Sequence, residues 1–161
     1  MQNYANVIPQ GRVDLEKWSA NGEGPVERTS IQNLVVDSGR ISMVNLMLGQ
    51  WDQNSAISYH AVGTGSAKPT ADNTALQYET GRKFVIRSAD GFNARAVIFY
   101  DTTELNGTGY EQGLFLGSGA GYNSANSGVL VARVTGQFTK SNTQNMRVVW
   151  SILMASATAG T

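Results

Sequence analysis

The chain has 161 residues, 12 Lys plus Arg against 12 Asp plus Glu, one histidine and no cysteine. This length supports one domain with a real core. Zero net charge provides no long-range field to draw the chain to nucleic acid or an acidic membrane, and the missing cysteines exclude disulfides, thiolate metal sites and a thiol nucleophile. Charged residues are only 15% of the sequence, against about 25% in ordinary domains, so surface polarity must come from Asn, Gln, Ser, Thr and Gly. A neutral, weakly charged surface favours self-association.

Residues 1–30 read as an extended N-terminal arm. They hold Pro9, Pro25 and a Gly-rich turn at 21–24, with no sustained period of two or 3.6. The arm's large apolar residues, Tyr4, Val7, Ile8, Val13, Leu15 and Trp18, are unusual cargo for a disordered tail. They make a candidate partner-binding arm, which orders either against a neighbouring subunit or back on its own sheet. The N-terminus has no apolar core of the secretory kind, and no stretch approaches the roughly 18 apolar residues of a membrane span. The chain is therefore expected to start at or near Met1, to stay soluble and to have no membrane partner.

The spacing predicts one short amphipathic helix over about 37–48. Asp37 or Ser38 can cap it, Ile41, Val44, Met47 and Leu48 share a face, and Gly49 sits where a C-terminal glycine is expected. Its apolar stripe is expected to pack on a sheet. Strands are predicted at 56–62, 83–88, 92–100, 113–116, 129–135 and 146–154, all rich in β-branched or aromatic residues and bounded by turn formers. The last carries apolar residues on both sides and reads as a central strand. Ala89-Asp90-Gly91 should join two paired strands, and Asn106-Gly107 is a second turn signal. The fold class expected is all-β, a jelly-roll-like β-sandwich closed on one side by the helix. The organisation is an arm at 1–30, a β-sandwich domain at 31–155 and a flexible tail at 156–161.

Candidate chemistry is sparse. His60 has no local nucleophile or acid beside it, so a hydrogen-bonded, partly buried histidine is the expectation. Gly63-Thr64-Gly65 and the run from Gly117 to Gly121 lack the Lys-Ser/Thr of a phosphate loop and open no helix, which leaves glycine's turn geometry as their role. Asp72, Glu79, Asp101, Glu104 and Glu111 have no spacing that marks a carboxylate pair or a calcium loop. Glu111 precedes the apolar run 113–116 and needs a cation such as Arg82, Arg95 or Arg133, which would make it a structural lock. No catalytic residue, metal ligand or cofactor is expected, and no nucleic-acid partner. Trp51, Tyr110 and Tyr122 beside polar loops leave open a glycan-binding jelly roll.

The ordered signals DSGRISMVNLMLGQ, AVGTGSAKPTADNTALQYETGR, EQGLFLGSGAG and GVLVARVTGQFTKSNTQNMRVVWSILM carry a resemblance over about 37–154. They resemble a group of tailed-bacteriophage virion proteins found as capsid decoration (cement) proteins and as modules of tail fibres or other minor tail proteins. The matching positions are 61–65, Pro69, Asp72, Thr74, Leu76, Glu79, Arg82, Glu111, 113–115, Gly128, Leu130, Ala132, Arg133, Lys140 and Trp150. The resemblance implies that they maintain fold and oligomer rather than a reaction; the residue chemistry agrees, giving Glu79 and Glu111 to ion pairs or backbone hydrogen bonds, with Glu79, Arg82, Glu111 and Arg133 the proposed structural ion pairs. The resemblance also implies a homotrimer on the outer capsid surface of the virion, made in the host cytoplasm, that binds the major capsid protein. A tail-fibre or baseplate protein is the alternative. Residues before 37 lie outside the pattern.

Overall fold

The computed structural model describes residues 9–50, 56–117 and 124–154. It is all-β with one short helix, as the composition and turn pattern led us to expect. In chain order the elements are β1 (Gln10–Ser19), β2 (Pro25–Val35), α1 (Asp37–Met47), β3 (Ile57–Gly63), β4 (Glu79–Phe84), β5 (Ile86–Asp90), β6 (Asn93–Tyr100), β7 (Gly107–Leu116), β8 (Val129–Lys140) and β9 (Gln144–Leu153). The strands form one antiparallel sheet in the order β4-β3-β7-β8-β2-β1-β9-β6-β5.

The two outermost strands, β4 and β5, are consecutive in the chain and separated only by Val85. One stretch of chain thus leaves one edge of the sheet and enters the other, so the sheet is folded on itself as a nearly closed, sandwich-like barrel. A bend at which one strand passes between sheets is a general way to make such a corner. Val85 N–H donates to Ser58 O, which anchors the bend on β3.

Strand alternation divides the side chains into two sets. The inward set builds the main core: Val13 and Leu15 of β1, Val62 of β3, Ile98 and Tyr100 of β6, Leu114 of β7, Val134 and Phe138 of β8, and Met146, Val148, Trp150 and Ile152 of β9. The outward set differs between the two halves. Around β1 and β9 it is charged and open to solvent, with Glu16 between Arg147 at 2.7 Å and Arg28 at 3.4 Å. On β3, β7 and β8 it makes a second, smaller core of Tyr59, Ala61, Phe115 and Leu130, joined by Val36 and covered by Leu76 from the β3–β4 connection.

The expected arm is corrected from residue 10 onward. Residues 10–30 belong to two interior strands: β1 lies between β2 and β9, and β2 between β8 and β1. Val13 and Leu15 are core residues at 0% and 3% exposure, and Trp18 is half-buried at the β1 end beneath the Arg147 guanidinium. The expected boundary at residue 30 falls inside β2, so sheet and main core run through both sides of it. Tyr4, Val7, Ile8 and the tail at 156–161 lie outside the described residues.

The predicted strand at 83–88 is likewise corrected, because it straddles the Val85 corner and is the end of β4 plus the start of β5. β9 is central, between β1 and β6, and the turn at Ala89-Asp90-Gly91 joins the paired β5 and β6.

If β1 is core, Leu15→Ala should destabilise the protein by about 2–5 kcal/mol, read from urea unfolding midpoints. A residue in a detached arm would give a change near zero.

Candidate interaction surface and its buried supports

Helix α1 lies across one end of the barrel, where β3, β6 and β8 begin and β7 and β9 finish. It packs through a face other than the one predicted. Ile41, Val44, Met47 and Leu48 were expected against the sheet, yet they are 59%, 48%, 75% and 66% exposed. The packed face is Gly39, Ser42 and Met43.

Gly39 is the reason. A Cβ there would collide with the Val131 backbone, including its Cα at 2.8 Å, so glycine alone permits this approach to β8. Ser38 Oγ donates to Leu130 O at 2.7 Å, and Ser42 Oγ to Ser38 O at 2.9 Å. Close backbone contact and hydroxyl bonds thus replace an apolar stripe, which turns the stripe outward. Val36, with no side-chain cap bond, stands at the N-cap in place of Asp37 or Ser38, and Leu48 with Gly49 at φ +70° closes the C-terminus.

Beneath the helix is an apolar groove of about 350 Å³ between Met43, Leu46 and Met47 of α1 and Ile57, Leu116, Ile152 and Met154 of the barrel end. Groove and outward stripe both present apolar side chains at this end of the barrel, and exposed apolar patches can mark interaction sites.

The predicted ion-pair residues lie elsewhere, on the outward face of β3, β4, β7 and β8. Glu111 is fully buried. Its Oε1 accepts from Gly65 N–H at 3.0 Å and Tyr78 N–H at 2.7 Å; its Oε2 accepts from Gln77 N–H at 2.9 Å and from Arg133 Nη2 at 2.8 Å. Burial by itself would push this carboxyl up, but the amides of Tyr78 and Gln77, the Arg133 guanidinium and the Gly65 amide outweigh it and hold the group below its usual value. Arg133 also donates to Asn73 Oδ1 at 2.8 Å.

A second pair stands beside it. Arg82 meets Glu79 through two bonds, at 2.6 and 2.8 Å, donates to Ser127 O at 3.0 Å and stacks its guanidinium 4.9 Å from the Phe115 ring centre. Glu79 in turn accepts from Asn126 N–H at 2.7 Å. The four residues therefore pair as Glu111 with Arg133 and Glu79 with Arg82. They fasten the 64–78 connection and the segment around Asn126 to the sheet.

Gly63 and Gly65 have a role other than the turn geometry read from sequence. A Cβ on Gly63 would stand 2.7 Å from Glu111 Oε1, and one on Gly65 would press on Glu111 and Gln77. Here glycine makes room for the buried carboxylate.

His60 is fully buried inside the barrel. Its Nδ1 lies 2.8 Å from Tyr100 Oη and its Nε2 lies 3.0 Å from Gln112 Oε1. With the Gln112 carbonyl facing the ring, Nε2 carries the proton and Nδ1 accepts from the tyrosine. Burial lowers its pKa from 6.5 to about 4, the Gln112 bond offsetting part of the effect. The ring's partners are neutral, and no nucleophile stands against it among these contacts. No group of three or more His, Asp or Glu residues that could hold a metal ion occurs among the described residues. Tyr110 is partly exposed on β7, whereas Trp51 and Tyr122 lie outside the described residues. Comparison with family models, curated proteins and solved structures found no match to this chain.

His60 gives a pH prediction. Between pH 6.5 and 4 the unfolded chain binds a proton that the folded chain excludes, so stability should fall as pH drops through this window. The loss should approach about 3 kcal/mol at its lower end. Glu111 behaves differently, since its contribution is complete above its ordinary pKa of 4.5 and is lost only at lower pH. Urea unfolding at pH 7, 5.5 and 4.5 should show the decline in the natural chain and a flatter profile in His60→Gln.

Proposed function

We propose that the chain is a structural protein of a tailed-bacteriophage particle, a capsid decoration protein that binds across neighbouring major-capsid subunits and stabilises the shell. The observation that carries this reading is the outward row Ile41, Val44 and Leu48 on a helix fixed to a rigid barrel end. Residues spaced by three and four on a helix present one continuous ridge, the form in which a helix fits a groove of a partner. With zero net charge, recognition depends on shape and apolar contact rather than on long-range attraction.

The resemblance of 37–154 to virion proteins supports the same reading and adds a closed homo-oligomer, with threefold symmetry its specific implication. A protein that binds only the assembled lattice stabilises it by mass action, by about 2.7 kcal/mol per site at a hundredfold excess over Kd. Repetition over the lattice multiplies that modest contact.

The test is binding of the purified chain to mature capsids that lack it, beside isolated tails, with particle heat resistance recorded at saturation. Saturable binding in lattice stoichiometry, with raised heat resistance, is the expected result. Ile41→Glu with Leu48→Glu should leave the fold intact, because both positions are exposed, and weaken capsid binding at least about a hundredfold, the equivalent of burying two aliphatic side chains. Binding to tails alone would move the protein to the fibre or baseplate class, and binding to neither would overturn the virion reading.

A further inference from the structure

We propose that the groove under α1 is a docking site for residues 1–8 of the same chain, with Val7 and Ile8 seated against Met43 and Leu46. The first argument is where that segment joins the fold. β1 begins at Gln10, which pairs with Leu153, and Gly11 pairs with Ile152. Ile152 and Met154 are themselves walls of the groove. The chain therefore leaves the sheet at Pro9 within a residue or two of the groove wall, at the barrel end that carries α1.

Reach is the second argument. Eight residues span at most about 26–29 Å when extended, whereas a helix of 11 residues is only about 16 Å long. The segment can follow the whole groove without lifting β1 from β9.

Chemistry is the third. The sequence MQNYANVI contains no Asp, Glu, Lys or Arg and carries four large apolar side chains, Met1, Tyr4, Val7 and Ile8. The groove it faces is lined by Met, Leu, Ile, Val, Ala and Gly, with Ser42 its one polar side chain, and that hydroxyl is already bonded to Ser38 O. Seating a charged side chain there would cost desolvation with no compensating partner; this segment has no charged side chain.

Linkage decides between the chain's own segment and a second copy. A short tether gives an effective concentration in the millimolar range, far above that of a dilute second chain. The ridge Ile41, Val44 and Leu48 lies on the outer side of the helix, so the docked segment leaves it accessible. The inference is independent of the virion reading.

The natural chain has no cysteine, which makes crosslinking clean. The full chain carrying Val7→Cys and Leu46→Cys, oxidised mildly at low concentration, should give a one-chain product with both thiols consumed. It should form at least about tenfold faster than from Val7→Cys with Asn142→Cys, a pair whose second site lies in the β8–β9 turn at the opposite end of the barrel. Equal rates, or a disulfide-linked dimer as the main product, would overturn the proposal. A second measurement uses Leu46→Cys alone. Deleting residues 1–8 should raise its alkylation rate several-fold, and an unchanged rate would count equally against docking.

Discussion

The buried Glu111 carboxylate is the interaction on which much of this fold depends. The connection from 64 to 78 contributes no strand to the sheet. It is attached by Glu111 accepting the amides of Gly65, Gln77 and Tyr78 and by Arg133 bridging from the same carboxylate to Asn73, with further bonds between Leu76 and Asn126 and from Asp37 N–H to Ala71 O. A buried ion pair gains little net stability over a well-packed apolar alternative, but removing one partner strands the other charge, at a cost of about 3–5 kcal/mol. Here the carboxylate also satisfies backbone groups that would otherwise be buried without partners. Its role is one of specification: it selects a single path for 15 or so residues of chain over the second core.

The two ends of the barrel are closed in different ways. The end away from α1 is closed by polar groups: buried Lys140 donates to Glu104 O at 2.8 Å and Asn106 Oδ1 at 2.9 Å, while Lys83 bonds Glu104 Oε1 at 2.6 Å. The α1 end is held by backbone contact at Gly39 and hydroxyl bonds, which leave the apolar side chains of the helix unburied. Side chains that would have served the core are thus available for recognition. A rigid support matters for such a surface, because pre-organisation reduces the ordering cost of binding.

The sequence was legible where period and chemistry agreed. Met146, Val148, Trp150 and Ile152 alternate cleanly, and β9 is a central strand. A carboxylate entering an apolar run needs a cation, and Glu111 has Arg133. β1 and β2 were less legible, because Gly11 and Lys17 occupy buried positions of one strand while Thr29 and Asn33 are half-buried in the other, hiding the period of two. Lys17 is retained there by Glu27 at 2.8 Å. The helix misled for a related reason. Its strongest apolar stripe points to the wrong packing face, because Gly39, invisible to a hydropathy reading, sets the orientation. The partners of Glu79 and Arg82 near Asn126 and Ser127 depend on long-range folding, which local spacing does not encode.

The most direct test of this account is residue-resolved amide hydrogen exchange on Glu111→Gln, which keeps the size of the side chain and removes its charge. Protection should collapse at Gly65, Gln77 and Tyr78 while the β1 and β9 amides in the main core remain slow. Unchanged protection at those three amides would contradict the claim that the carboxylate holds the connection in place.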